Sequence, residues 1–224
     1  MKPTRTKRKQ GFTLIELLVV ITIIAILASL SAPVLGRVQT SARVTKSVND
    51  ARQIATSLKL YAADHSGAYP RGEESSNEAL RQLFPTYLDQ ERIFHNPSSF
   101  FCRPDPPDEE IGQDESGSNR ISELALEPGE CHYAYVSGYS STDKSTYPIL
   151  ADGFTAEGQA YDENHPWWNV GKAVVVYLDG STVPELLRKS DGRGEIKGRG
   201  KKSDQNLFAP GSLGRGVVLN PERP

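Results

Sequence analysis

The sequence opens with polar residues and then changes to an apolar run that carries no charged side chain from Leu17 to Gly36. Twenty residues of α-helix extend about 30 Å, which matches the hydrocarbon thickness of a bilayer. One carboxylate, Glu16, stands directly before the run. Acids inside membrane segments usually have a partner and a function. The pattern therefore predicts a transmembrane helix with a functional acid near its start.

The helix is predicted to continue beyond the apolar run. Apolar residues recur at nearly helical spacing as far as Ala62, and charged residues fall between them. Pro33 has two interpretations: it ends the span, or it interrupts one long helix with a kink or local melting between Ser29 and Pro33. The continued spacing favours one helix over 12–64, transmembrane over 12–36 and amphipathic afterwards.

The first eleven residues include five basic residues and no acid. By the positive-inside rule they stay in the cytoplasm, so the rest of the chain faces outward. A secretory signal peptide and a plain signal anchor are alternatives, but neither requires the glycine or the acid that flank the apolar run. The basic residues are Lys2, Arg5, Lys7, Arg8 and Lys9.

The segment Gly11-Phe12-Thr13-Leu14-Ile15-Glu16 resembles the processing site of type IV pilins and of type II secretion pseudopilins. The resemblance implies a leader at 1–11, cleavage between Gly11 and Phe12 by a prepilin peptidase, and N-methylation of Phe12. It also implies that Pro33 is the helix-kinking proline of this family. The new amino group of Phe12 would pair with Glu16 of a neighbouring subunit and set the register of a filament.

A head domain is predicted over 65–224. Short apolar runs indicate strands at 133–136, 147–150 and 172–178, and Asp179-Gly180 is typical of a tight hairpin turn before Ser181-Thr182-Val183. Residues 77–87 indicate a short helix capped by Ser76 or Asn77, and 217–219 a last strand. The predicted fold class is α+β, pilin-like, with the long helix packed on a small antiparallel sheet.

Two stretches of the head look irregular. Residues 97–130 are polar and acidic, which predicts a surface loop. Residues 190–206 alternate glycine with basic residues, which predicts a mobile loop, with a basic patch that contacts acidic surfaces or nucleic acid as the alternative. Calcium is an alternative for the acidic loop, although the EF-hand spacing is absent. No cofactor and no other metal are expected.

Two further resemblances concern the head. Gly67-Ala68-Tyr69-Pro70 is similar to the junction between helix and head in major-type pseudopilins. The run from Val174 to Gly180 is similar to a strand and turn in planctomycete pilin-like proteins, where a histidine precedes the strand. His165 lies farther from Asp179 than that family's gap, so only the strand and the turn carry over, and Asp179 is expected to be a turn residue.

The charge of the mature chain argues against a general nucleic-acid-binding function. Removal of the leader leaves 21 basic and 28 acidic residues, a net charge of −7, which is unlike a general nucleic-acid binder. Cys102 and Cys131 are the only cysteines and permit one disulfide outside the inner membrane; two buried free thiols are the alternative.

The four histidines lack zinc spacing and each is expected to be an ordinary residue, so catalysis is not predicted.

The expected function is that of a structural subunit of a type II secretion pseudopilus. Before assembly it would be a single-pass inner-membrane protein with a cytoplasmic amino terminus and a periplasmic head. Its implied partners are the prepilin peptidase, other pilin-like subunits in a homo- or hetero-polymer, an assembly-platform inner-membrane protein and the membrane. A type IV pilus subunit is the alternative within the class, and a membrane-tethered periplasmic binding or enzymatic domain is the alternative outside it.

Overall fold

The chain forms one long helix, α1 (Leu14–Asp64), then a short helix, α2 (Ser76–Arg81), and an antiparallel sheet. This computed structural model describes residues 12–107, 111, 125–198 and 204–224, and within α1 it leaves out the side chains of 30–35 and 37. The predicted α+β class is confirmed. The chain divides into two compact units, residues 1–43 and 44–224, so the second unit includes the last part of α1 as well as the predicted head.

α1 agrees with the predicted helix over 12–64 to within two residues at its start. The helix passes through position 33 without interruption, which contradicts local melting between Ser29 and Pro33, whereas the kink stays a prediction. A proline removes only one backbone hydrogen bond, and the helical turns on either side can continue. Within the described residues, no helix is both long enough and apolar enough to cross a membrane. The transmembrane assignment of 12–36 therefore stays a prediction.

The sheet has six strands: β1 (Tyr133–Ser137), β2 (Pro148–Asp152), β3 (Lys172–Tyr177), β4 (Thr182–Ser190), β5 (Arg193–Ile196) and β6 (Val217–Leu219). They lie in the order β5-β4-β3-β2-β1-β6, and every neighbouring pair is antiparallel. The strands β1, β2 and β3 are almost completely buried, which explains their continuous apolar runs.

The second half of α1 supplies one side of the core. Its buried residues share a single hydrophobic cluster with side chains of β1, β2 and β3. Ser47 and Tyr133 join the helix to β1, because their hydroxyl oxygens lie 3.0 Å apart and the Tyr133 hydroxyl also donates to the Ser47 carbonyl at 3.1 Å. The buried α1 residues are Val48, Ala51, Ile54, Ala55, Leu58 and Ala62.

The hairpin predicted at Asp179-Gly180 is confirmed. It joins β3 to β4, and an Asp179 carboxylate oxygen accepts a hydrogen bond from the Ser181 backbone N–H at 2.7 Å. Gly180 adopts φ +90°, a conformation that side chains other than glycine rarely adopt. The Lys59 ammonium of α1 donates to the Asp179 carbonyl at 2.5 Å and so ties the turn to the helix.

The short helix differs from its prediction at both ends. Its N-cap is Ser75, not Ser76 or Asn77, and the Ser75 hydroxyl accepts a hydrogen bond from the Glu78 backbone N–H at 3.2 Å. The helix ends at Arg81, and residues 82–87 continue as turns with shorter-range hydrogen bonds, such as Leu83 N–H to the Leu80 carbonyl. The interpretation of 77–87 as one helix is therefore wrong in its second half.

Both irregular stretches contribute more to the fold than predicted. In the tail at 190–206, β5 pairs with β4, so the prediction of a loop throughout is wrong. Glycine at position 194 leaves room for the Trp168 ring, because a β-carbon there would lie 2.8 Å from that ring. In the acidic stretch at 97–130, Ile111 and Leu126 are buried in the core, so a wholly superficial loop is wrong as well. Residues 108–110, 112–124 and 199–203 lie outside the described part of the chain.

Candidate functional site

Glu16 closes the N-terminus of α1 through a reciprocal pair of hydrogen bonds with Thr13. A Glu16 carboxylate oxygen accepts from the Thr13 backbone N–H at 2.9 Å and from its hydroxyl at 2.7 Å, and the Thr13 hydroxyl accepts from the Glu16 N–H at 3.3 Å. This is a capping box, in which a Ser or Thr before the helix pairs with an acid three residues later. The Thr-x-x-Glu spacing was visible in the sequence, but sequence reasoning missed it.

The other residues predicted for processing and assembly are placed as follows. Phe12 precedes α1 and is 79% exposed. Gly11 lies outside the described residues, and Pro33 lies within α1 without a described side chain. The pairing of Glu16 with the amino group of a second copy stays a prediction.

The first four turns of α1 present apolar side chains all round the helix. From Leu14 to Leu27, the large apolar residues are 46% to 89% exposed. Soluble monomers rarely expose a contiguous apolar surface of this extent, and such surfaces usually mark contacts with a membrane or with another protein.

Cys102 and Cys131 are both buried, and both are free thiols in the structure. The disulfide that the sequence permits is therefore not formed here. Burial raises the pKa of the Cys102 thiol to about 11 and that of the Cys131 thiol to about 12. Both groups are protonated and weakly nucleophilic at neutral pH in the folded head.

A buried polar network that sequence reasoning missed lies at the end of β2. The Asp152 carboxylate binds two imidazoles, with His132 Nε2 at 3.0 Å from Oδ1 and His165 Nε2 at 3.2 Å from Oδ2. The Val174 backbone N–H also donates to Oδ2, at 2.9 Å. His132 Nδ1 lies 2.8 Å from the Ser99 hydroxyl. Sequence reasoning treated His132 and His165 as ordinary residues and did not predict that both are buried partners of one carboxylate.

The network shifts the pKa values of Asp152 and His165. Burial raises the pKa of Asp152, but the two imidazoles more than offset this effect and hold the pKa below its usual range. For His165, burial is the largest influence and lowers its pKa, although Asp152 opposes it. His165 Nδ1 has no hydrogen-bond partner among the described residues, which suits a neutral ring that donates through Nε2. Asp152 is thus an ionised carboxylate held by three N–H donors.

Ser99, His132 and Asp152 are hydrogen-bonded in the order of a nucleophile, a base and an orienting acid. All three residues are buried, with exposures of 7%, 1% and 0%. The arrangement suits a structural role, because it joins the segment at 99 and the segment at 165 to β2.

No group of three or more metal-binding side chains in the described residues is arranged to hold an ion. Most of the acids for which calcium was the alternative, between 108 and 124, lie outside that part of the chain.

One family model and several curated proteins match parts of this chain. The family described as the prokaryotic N-terminal methylation motif matches residues 6–32. Type II secretion system core protein G of Pseudomonas aeruginosa is 38% identical over 76 residues, which cover 34% of this chain and 53% of that protein. The proteins of the same name from Escherichia coli and Pectobacterium carotovorum are 40% identical over 78 residues and 33% identical over 101 residues. These two matches cover 35% and 45% of this chain, and 50% and 62% of the relatives.

The chain spans about half the length of the curated relatives it matches. No solved structure matches it.

Proposed function

We propose that this chain, whose methylation motif and relatives support the pilin and pseudopilin family, is a structural subunit of a type II secretion pseudopilus. One observation carries the proposal: the matched segment contains the start of α1, where the apolar side chains from Leu14 to Leu27 are exposed. Apolar surface costs roughly 25 cal/mol per Å² when it stays in water. We call the apolar first part of the chain, 12–36, the stem. A lipid bilayer covers its surface before assembly, and the stems of other subunits cover it afterwards.

Processing prepares the stem for assembly. A prepilin peptidase cleaves between Gly11 and Phe12 on the cytoplasmic side, where the five basic residues of the leader hold the amino terminus. Cleavage leaves a new amino group on Phe12, which is then N-methylated. The same cut removes five positive charges, so the mature chain can leave the inner membrane more easily.

Glu16 has a different partner before and after assembly. In the single chain it caps α1 through Thr13, which keeps its carboxylate at the helix start and beside Phe12. In the filament, the cationic amino group of Phe12 from another copy binds the same carboxylate. Buried ion pairs set register more reliably than they add stability, so Glu16 aligns the subunits.

The head has a structural role and performs no chemical step in this proposal. It faces the periplasm and then the filament surface, while an assembly-platform protein of the inner membrane receives the stem. The relatives named core protein G favour a secretion pseudopilus over a type IV pilus.

Glu16→Gln tests the assembly role separately from the cap. Glutamine can still accept hydrogen bonds from Thr13 in a capping box, but it cannot form an ion pair. We expect normal membrane insertion and processing, with filament yield reduced at least about tenfold, the effect of losing roughly 1.4 kcal/mol per contact. Filaments sheared from cells and quantified by immunoblot provide the measurement.

Thr13→Ala is the matched control, because it removes the hydroxyl of the cap and keeps the charge of Glu16. It should assemble close to the wild-type level. If Glu16→Gln also assembles normally, the filament role is wrong and a membrane-tethered domain explains the chain better. Substitution of Gly11 should leave the leader attached and prevent assembly.

A further inference from the structure

Residues 99–103 and 129–132 lie side by side, and they stand near the two ends of the acidic stretch at 97–130. The His132 backbone N–H donates to the Phe94 carbonyl at 2.8 Å, and the Ser99 hydroxyl lies 2.8 Å from His132 Nδ1. On the other side, the Arg103 backbone N–H donates to the Gly129 carbonyl at 2.8 Å. Residues 99–103 and 129–132 are therefore held together at both ends.

Both cysteines lie between these hydrogen bonds. Cys102 directly precedes Arg103, and Cys131 lies two residues after Gly129. The two thiols are close enough to interact electrostatically, because burial raises the pKa of Cys131 and the neighbouring Cys102 raises it further. A disulfide requires α-carbons about 4.4–6.8 Å apart. Cys102 is 8% exposed and Cys131 is fully buried, where its thiol donates to the Tyr133 carbonyl at 3.5 Å.

We propose that Cys102 and Cys131 form an oxidation site, at which thiol–disulfide exchange creates a bond that closes residues 103–130 into a loop. The oxidant is a protein or small-molecule disulfide. The Cys102 thiolate attacks it, forms a mixed disulfide and releases one thiol of the oxidant. The Cys131 thiolate then attacks the Cys102 sulfur and expels the second thiol. The pair loses two electrons and two protons, and the oxidant gains two electrons to become two thiols.

The bond forms while the chain folds, before the core closes over the thiols. In the folded head, burial keeps both thiols protonated and shields Cys131 from any reagent, so exchange there is slow. In the unfolded chain the same thiols react with ordinary rates. Once formed, the bond is protected by the same burial.

A closed loop of this length changes the folding equilibrium. The bond restricts the 28 residues from 103 to 130 in the unfolded chain, which should raise the folding equilibrium constant about 10²- to 10³-fold. It also holds Ile111 and Leu126 close to the core in which they are buried.

Refolding of the purified full chain in detergent with oxidised glutathione tests the bond itself. After refolding, the protein is denatured without reductant, treated with iodoacetamide and weighed by mass spectrometry. We expect no alkylation unless reductant is added first, and a linked peptide that contains Cys102 and Cys131. Two alkylated cysteines without reductant, or a disulfide between two chains, would overturn the proposal.

Cys102→Ser is the matched control and should be alkylated once, at Cys131. Reductant should lower the melting temperature of the oxidised wild type and leave a Cys102→Ser/Cys131→Ser double variant unchanged. An equal effect of reductant on both proteins would also overturn the proposal. The double variant keeps the test decisive if a single substitution fails to fold.

For the bond to form in cells, the head must face an oxidising compartment, which rests on the function proposed above. The same alkylation assay on protein extracted from cells tests that condition. A bond that forms with glutathione but not in cells would count against the periplasmic location, whereas a bond that forms in neither case would count against the cysteine pair.

Discussion

Asp152 is the residue on which the polar contacts of the head interior converge. An isolated buried carboxylate costs several kcal/mol, and this one is stabilised by N–H groups of His132, His165 and Val174. Its partners come from three separate parts of the chain, with sequence separations from Asp152 of 13 to 22 residues. The network therefore fixes the positions of loops that have no regular secondary structure of their own.

His165 gives the head a pH-dependent stability. Its pKa is lowered in the folded state, because burial disfavours the charged ring, while the unfolded chain takes up a proton below about pH 6.5. The contribution of His165 is thus complete above about pH 6.5 and is lost as the pH falls. The free energy of unfolding should fall by up to about 1.4 kcal/mol per pH unit below that value.

His165→Gln should remove this slope, because glutamine can donate to Asp152 and does not titrate. Urea unfolding between about pH 5 and pH 7.5 measures the slope for each variant. His65→Gln is the control, since His65 is exposed and stacks on Tyr61 at 3.8 Å between ring centroids. Identical slopes in wild type and His165→Gln would contradict the assignment of a neutral buried ring.

At the scale of elements, the second half of α1 binds the sheet through one apolar stripe. Leu58 is 1% exposed and Leu60 is 53% exposed, although they lie two residues apart on the same helix. Leu58→Ala should lower the free energy of unfolding by about 2–5 kcal/mol, because it leaves a cavity in the core. Leu60→Ala should change it by only about 0.5 kcal/mol.

Urea unfolding of the two variants in detergent provides the comparison. Both variants replace leucine by alanine in α1, so a difference in their free energies of unfolding reports only the burial of the two side chains. Equal losses would mean that the stripe on α1 does not pack on the sheet as described.

Elements with a local signature were predictable from the sequence, and those that depend on distant partners were not. The apolar runs of β1, β2 and β3 and the Asp179-Gly180 turn determined those strands and their hairpin. β5 and most of β4 are polar, and they are strands because each pairs with a neighbour. The contacts of Asp152 with His132 and His165 follow no sequence period, since the tertiary fold alone brings them together.

At the scale of the whole molecule, the chain has two compact units with different surfaces. Residues 14–43 are helical, and their described apolar side chains up to Leu27 are exposed, whereas most described apolar side chains of residues 44–224 are buried in one core. A polypeptide of this kind needs an environment for its apolar stem. In the function proposed here, cleavage after Gly11 allows the stem to move from the lipid bilayer into contact with the stems of other subunits.

Mass spectrometry of the amino-terminal peptide, from protein isolated out of its native membrane, tests this account most directly. We predict that the peptide begins at Phe12 and that its amino group carries one methyl group. A chain that still begins at Met1, or one cut near Ala32 by a signal peptidase, would contradict the account.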